Sequence, residues 1–247
     1  MRQIVFHGFP KCLFLLAFFS SPVNAHDRLK LSPSTKDAFL HVVAHAMGNA
    51  MLREFDLPIL GAEVDIADDF ATIFILMSLP NRAEAIISAR ARQHLADGKQ
   101  PGMFSAYRSD KQRAGRLVCL LYGQDPSRFK AMASYFDLRG SDAQKCRDFP
   151  TEIGRSWRRI VNTYRMPAEA RVSEVGNLVV ADTSYARALA TSDFQHDVYF
   201  LLSSIDWHSR ITLVIDDCNG GASWSRNGRR ITICDAYIKR FEKQLSK

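Results

Sequence analysis

The chain has 247 residues, of which 47% are hydrophobic, 11% aromatic and 24% charged, and its formal net charge at pH 7 is +7. This composition excludes a wholly disordered chain, a collagen-like fibre and a long coiled coil. The basic residues are scattered and no base-stacking or groove-reading motif is present, so we expect no nucleic-acid partner despite the positive charge.

The first 25 residues have the pattern of a secretory signal peptide. Lys11 precedes an apolar run over residues 12–19, and small residues follow up to Ala25, where a signal peptidase would cleave. The apolar run is shorter than the roughly 20 residues that span a bilayer. We therefore predict a signal peptide over residues 1–25, one domain over residues 26–247 with no transmembrane helix, and a secreted or periplasmic protein.

The spacing of apolar residues predicts a mainly helical α+β domain. The predicted helices cover about residues 34–55, 63–79, 82–96, 109–122, 126–137, 141–164 and 184–204. A loop is predicted over residues 97–108, and strand character is found at residues 171–172 and 178–180. Residues 211–215 and 230–234 alternate like strands on either side of a turn-rich segment, which predicts a β-hairpin followed by a short helix.

Removal of the signal would leave four cysteines, which are Cys119, Cys146, Cys218 and Cys234. An even number of cysteines in an exported chain predicts two disulfides. Three pairings are possible and spacing alone does not choose among them, although we prefer the pair that closes the short loops, 119–146 and 218–234. Because no CxxC spacing is present, these cysteines do not predict a zinc site.

Three polar side chains follow one face of the first predicted helix. His41, His45 and Asn49 are spaced four residues apart and therefore stack along that face. Two histidines at this spacing can bind one zinc ion, as in the HExxH motif. Val42 stands where the motif that starts at His41 would carry its glutamate. The pair is thus a weak metal signal, and a solvated or hydrogen-bonded pair is the commoner explanation.

Residues 45–61, His-Ala-Met-Gly-Asn-Ala-Met-Leu-Arg-Glu-Phe-Asp-Leu-Pro-Ile-Leu-Gly, resemble a bacterial family of exported putative zinc metallopeptidases. In that family a HELGHA motif is followed by a Leu-Pro-x-x-Gly turn, with the same number of residues between them as here, and then by a helix with an ExxAD motif. In this chain the corresponding helix begins with residues 63–69, Glu-Val-Asp-Ile-Ala-Asp-Asp. Further similarities follow in the same order: a QR…CLLYGxDP segment at residues 112–126, then Cys146, Ser156-Trp157, and a closing hairpin with a cysteine on each strand at residues 211–218 and 231–234. The resemblance covers most of the chain after the signal and implies a zincin-like fold.

The departures from the family's motifs fall on the groups that would react. By the resemblance His45 is the first zinc ligand, but Ala46 stands in place of the catalytic glutamate, which would polarise a zinc-bound water. Asn49 stands in place of the second histidine and Val64 in place of the third ligand, whereas Asp68 keeps the supporting acid. Asparagine is a poor zinc ligand beside imidazole, and alanine and valine bind no metal. The resemblance therefore implies a zincin-like protein without its catalytic group and without bound zinc.

Three hypotheses follow for the function. The first is an exported family member with a degenerate active site, which acts by binding a peptide, a component of the cell envelope or an active relative. The second is a working metallohydrolase in which His41 and His45 bind zinc. Its third ligand would come from Glu63, Asp65 or Asp68. The third hypothesis is a structural or interaction protein of the cell envelope.

Overall fold

The computed structural model of the protein describes residues 29–59, 61–167, 169 and 178–246, so the predicted signal peptide and the strand character at residues 171–172 lie outside it. The described helices are α1 (Pro33–Glu54), α2 (Glu63–Ser78), α3 (Ala83–Asp97, after a 3-10 turn at Pro80–Arg82), α4 (Asp110–Gln124), α5 (Lys130–Tyr135), α6 (Gly140–Thr163), α7 (Ser184–Leu189), α8 (Ser192–Ser203) and α9 (Asp235–Leu245). The described strands are β1 (Leu178–Val180), β2 (Thr212–Asp216), β3 (Ala222–Ser225) and β4 (Arg230–Cys234). These mainly helical elements with a small sheet confirm the predicted α+β class.

Helix α1 lies at the centre of the fold and packs against α2, α3, α8, α9 and β3. It begins at Pro33, slightly before the predicted start, because the N-cap is Ser32 and not Ser34 or Thr35: the Ser32 hydroxyl accepts a hydrogen bond from the backbone N–H of Thr35 at 3.2 Å, and Pro33 occupies the first turn. The carboxylate of Glu242 in α9 accepts hydrogen bonds from the backbone N–H and the hydroxyl of Ser32, each at 3.0 Å. The C-terminal helix therefore fixes the start of the central one.

Helices α1 and α2 approach closely at Gly48. A Cβ atom at this position would lie 3.0 Å from both the Cα of Ala67 and the Cδ1 of Phe70, which is closer than side chains ordinarily pack. The absence of a side chain at Gly48 and the small one at Ala67 thus allow the two backbones to meet. This contact brings His45 and Asp68, one turn or less away, against each other.

The sheet has the strand order β1-β2-β4-β3. Strand β2 pairs in parallel with β1 and with β4, in the register Thr212↔Arg230, and β3 pairs antiparallel with β4. The prediction of a hairpin between residues 211–215 and 230–234 is therefore wrong, although both strands exist. The partner of β4 in the hairpin is β3, which lies in the segment that the sequence analysis assigned to turns. Its sequence, Ala-Ser-Trp-Ser, does alternate between apolar and polar residues, but over only four positions and directly after Gly220-Gly221, which are typical of a turn.

The predicted helix over residues 184–204 is also two helices, α7 and α8. Thr191 has an extended backbone, with φ −73° and ψ 158°, and so interrupts the helical path. Helical spacing of apolar residues continues on both sides of Thr191, which explains why the sequence predicted one helix. The predicted loop between the third and fourth helices is confirmed, and it begins at Gly98, whose φ of +61° suits a helix end.

Two disulfides connect the elements that follow the first three helices. Cys119 in α4 is bonded to Cys146 in α6, and Cys218 after β2 is bonded to Cys234 at the end of β4. These are the two pairings preferred from the sequence. Each closes a short loop and is expected to stabilise the fold by about 3 kcal/mol.

The buried apolar side chains form one cluster that extends from Leu31, before α1, to Leu245 in α9. Among the described helices, none is by itself long and apolar enough to cross a bilayer. Helix α2 and the segment Pro80–Asp97 meet that criterion only together, and they are bent by 116° relative to each other.

Candidate functional site

The centre of the candidate site is a hydrogen bond between α1 and α2. The Nδ1 atom of His45 lies 2.7 Å from Oδ1 of Asp68, whose side chain is only 3% exposed. Because an ionised carboxylate can only accept, Nδ1 is the donor in this bond, and Nε2 is the ring nitrogen that remains for another partner. No described group hydrogen-bonds to Nε2. A carboxylate that orients an imidazole in this way is the usual support of a metal-binding histidine.

The second oxygen of Asp68 is held from α4. Arg113 Nε donates to Oδ2 of Asp68 at 2.8 Å. Burial by itself would raise the pKa of Asp68, but the His45 ring and the Arg113 guanidinium hold that pKa well below its ordinary value. Arg113 reaches this position because α4 begins with a capping box, in which Ser109 and Gln112 each bond to the other's backbone N–H.

All the carboxylates near the site are paired with arginines. On α2, Oδ2 of Asp65 lies 3.0 Å from Arg108, and Asp69 forms two bonds of 2.7 and 2.5 Å with Arg116. Burial raises the pKa of Asp69, although Arg116 opposes that effect. At the start of α2, Glu63 is bonded to Arg53 of α1 at 2.5 Å. None of the three carboxylates considered as a third zinc ligand, Glu63, Asp65 and Asp68, is therefore without an arginine.

His41 lies one turn before His45 but in the interior. Its ring is fully buried, and neither of its nitrogens has a hydrogen-bond partner among the described residues. Burial holds the pKa of His41 well below its ordinary value, an effect that Arg90 strengthens and Asp68 opposes, so the ring is neutral. The two histidines, His41 and His45, are thus neither a solvated pair nor a fully hydrogen-bonded one. At the alternative zinc site on these two residues, each carboxylate considered as a third ligand is already paired with an arginine.

A second buried imidazole, which the sequence analysis did not single out, lies on α3. His94 is almost fully buried, neither of its ring nitrogens has a described hydrogen-bond partner, and its Nδ1 is 3.4 Å from Oδ1 of Asp110. Burial lowers the pKa of His94 far below its ordinary value, and positive charge on Arg90 adds to the effect. Its spacing of three and seven residues from the apolar Ala91 and Ile87 is the signal that would have placed it on the buried face of α3.

The three positions where the resemblance places reacting groups carry no zinc donor as strong as histidine or a carboxylate. Ala46 is buried, Val64 is partly buried in the first turn of α2, and Asn49 is partly buried with an Oδ1 atom that has no described partner. A catalytic zinc site needs three protein ligands and an open position for water. In the described part of the chain, no three His, Cys, Asp or Glu side chains are arranged to hold a metal. The described residues at this place therefore do not fit a catalytic zinc ion.

Comparison with known proteins assigns this architecture to a family. A family model described as "Putative metallopeptidase" matches residues 15–161, which is more than half of the chain and includes α1 to α5 and most of α6. No curated protein and no solved structure matches the sequence significantly. The matched segment contains the His45–Asp68–Arg113 arrangement and the Cys119–Cys146 disulfide. The chain therefore belongs to the putative metallopeptidase family.

Proposed function

We propose that this protein is a catalytically degenerate member of the putative metallopeptidase family, which acts by binding and does not hydrolyse peptides. One observation carries the proposal. Asp68 still orients His45 as a support orients a metal-binding imidazole, at 2.7 Å, whereas Ala46, Asn49 and Val64 occupy the positions of the other reacting groups. The scaffold of a metal site is thus retained without its donors.

The chemistry of peptide hydrolysis explains why these three positions matter. A metallopeptidase needs a zinc ion to lower the pKa of a bound water and a carboxylate to accept the proton of that water. Ala46 has no group that accepts a proton. The neighbouring carboxylates do not replace it, because Asp65, Asp68 and Asp69 are each held by an arginine. His45 would be a single ligand, which is too few for a stable zinc site.

We further propose that the protein is exported and consists of one domain after its signal. The two disulfides are typical of an oxidising compartment outside the cytosol. On this proposal residues 1–25 are a signal peptide, residues 26–247 are the mature domain, and the protein is secreted or periplasmic. Its partner would be a peptide or a component of the cell envelope, and not a nucleic acid.

The direct test is metal analysis and a peptide-cleavage assay on the oxidised protein, purified without chelator. We expect less than stoichiometric zinc and no cleavage. One zinc per chain, together with cleavage that His45→Ala abolishes, would refute the proposal and favour the alternative of an active metallohydrolase.

A reconstructed variant is the matched positive control. Asn49→His with Val64→Glu restores the two missing ligands at partly exposed positions, so it is expected to bind zinc tightly in a calorimetric titration. Adding Ala46→Glu restores the carboxylate as well. If the double variant binds no more zinc than the natural protein, then the retained arrangement of His45 and Asp68 is not the remnant of a metal site.

Binding at the site is tested by photo-crosslinking in the cell envelope. A photoreactive amino acid at position 64, beside the candidate site, is expected to capture a peptide or an envelope protein. The same amino acid at position 135, an exposed position on α5, is the control. Equal capture from both positions would favour the hypothesis of a general structural protein over that of a binding site at this place.

A further inference from the structure

The loop between α3 and α4, residues 98–109, projects from the fold on a closed base. The backbone N–H of Asp110 donates to the carbonyl of Lys99 at 3.0 Å, and the N–H of Lys99 donates to the Asp110 carboxylate at 2.9 Å. These two bonds bring the ends of the loop together, as in a compact Ω-loop. The loop is therefore a preformed projection.

The tip of this α3–α4 loop is a β-turn with apolar side chains at both central positions. The N–H of Ser105 donates to the carbonyl of Gly102 at 2.9 Å, which leaves Met103 and Phe104 at the corner of the turn. Met103 is 86% exposed and Phe104 is 92% exposed, and Tyr107 follows at 61%. Single exposed apolar residues are common, but three within five positions at one tip indicate an interaction surface.

The base of the loop is positively charged. Lys99 and Lys111 are exposed, and neither takes part in an ion pair within the part of the chain that the structure describes. Arg108 is also partly exposed, but its guanidinium is paired with Asp65. The acid of this segment, Asp110, is buried. The surface is thus an apolar tip with two exposed lysines near the ends of the loop and no exposed carboxylate between residues 98 and 111.

We propose that the α3–α4 loop docks on a lipid bilayer that contains anionic phospholipid, with Met103 and Phe104 inserted at the interface. The order of the groups matches the layers of such a bilayer, because apolar side chains enter the acyl boundary while cations remain level with the phosphates. A second copy of this chain would bring like charges together. A peptide ligand would ordinarily occupy a concave site, and a projecting two-residue tip offers none.

This docking would place the candidate site close to the membrane surface. Arg108, at the end of the loop, is held 3.0 Å from Asp65 of α2, which is next to Val64 and one turn before Asp68. The end of the loop is therefore connected to the site through this ion pair. The inference does not depend on whether the protein hydrolyses peptides, since it rests only on the loop.

The test is sedimentation of the purified, disulfide-bonded protein with vesicles of equimolar phosphatidylethanolamine and phosphatidylglycerol, compared with phosphatidylcholine vesicles. We expect binding to the anionic vesicles that weakens as salt is added. Phe104→Ser should lower the partition coefficient about tenfold, which corresponds to partial burial of one aromatic ring. Lys99→Gln with Lys111→Gln should lower it by a similar factor on anionic vesicles only.

Tyr107→Ser and Tyr135→Ser are a matched pair of controls, because Tyr135 on α5 is 68% exposed but lies outside the loop. Only Tyr107→Ser should weaken binding. A Phe104→Trp variant should add a blue-shifted emission when anionic vesicles are present. The proposal fails if no vesicles bind, if Tyr135→Ser weakens binding as much as Tyr107→Ser, or if the loop variants change capture of a soluble peptide but not of vesicles.

Discussion

Replacing Asp68 by asparagine should cost the folded protein about 3 kcal/mol of unfolding free energy. The substitution keeps the shape of the side chain but removes its charge, so that an amide replaces one of the two acceptors that face His45 at 2.7 Å and Arg113 at 2.8 Å. Removing one partner of a buried ion pair commonly costs about 3–5 kcal/mol. We expect the lower end, because Arg113 is partly exposed and Asp110 lies 3.8 Å from it and compensates part of its charge.

The assay is urea unfolding, with Asp137→Asn as the matched control. Asp137 forms a carboxylate–guanidinium ion pair with Arg139, as Asp68 does with Arg113, but both side chains are about three-quarters exposed. Exposed ion pairs contribute about 0–1 kcal/mol to the unfolding free energy. Asparagine also accepts the left-handed backbone of Asp137, whose φ is 58°. An Asp68→Asn variant that loses no more stability than Asp137→Asn would refute the reasoning.

The same variant has a defined pH dependence. Because the folded-state pKa of Asp68 lies well below its ordinary value, the carboxylate stabilises the protein fully above the unfolded value of about 3.9. That contribution is lost progressively as the pH falls from the unfolded pKa to the lower, folded pKa. The stability difference between the natural protein and Asp68→Asn should therefore stay constant from neutral pH to about pH 5 and shrink below about pH 4.

Three further predictions use the same unfolding measurement. Gly48→Ala should destabilise the protein by about 1–3 kcal/mol, because the added Cβ would press on α2. The control Gly115→Ala lies on α4, where a Cβ has open space, and should stabilise the protein by up to about 1 kcal/mol. Equal effects of the two substitutions would contradict the close contact between α1 and α2. Replacing both Cys119 and Cys146 by alanine should cost about 3 kcal/mol, and an unchanged midpoint would mean that this disulfide does not form. His41 is buried with a lowered pKa, so below about pH 6.5 the unfolded chain binds a proton that the folded chain does not, and the unfolding free energy should fall as the pH drops. His41→Leu should reduce the slope of the unfolding free energy against pH by up to about 1.4 kcal/mol per pH unit. An unchanged slope would show that His41 is accessible in the folded protein.

The candidate site was predictable from the sequence only in part. His45 and Asp68 follow from the resemblance, and their hydrogen bond connects residues 23 positions apart. The role of Arg113 was not predicted, although it lies in a segment that resembles the family. It meets Asp68 across 45 positions, and a periodic pattern along the chain carries no information about which residues of two distant helices face each other. For the same reason, the arginine partners of Asp65 and Asp69 were not predicted.

The sequence by itself determined the α+β class and the extent of α1, because helix formation and capping depend on residues within one or two turns. The tertiary structure decided what lies beside each element. It placed β4 parallel to β2 and antiparallel to β3, because strand pairing depends on the path of the chain between the strands as well as on their own alternation. It also left His41 without a hydrogen bond while His45, one turn away, is oriented by Asp68, because α2 approaches α1 at Gly48.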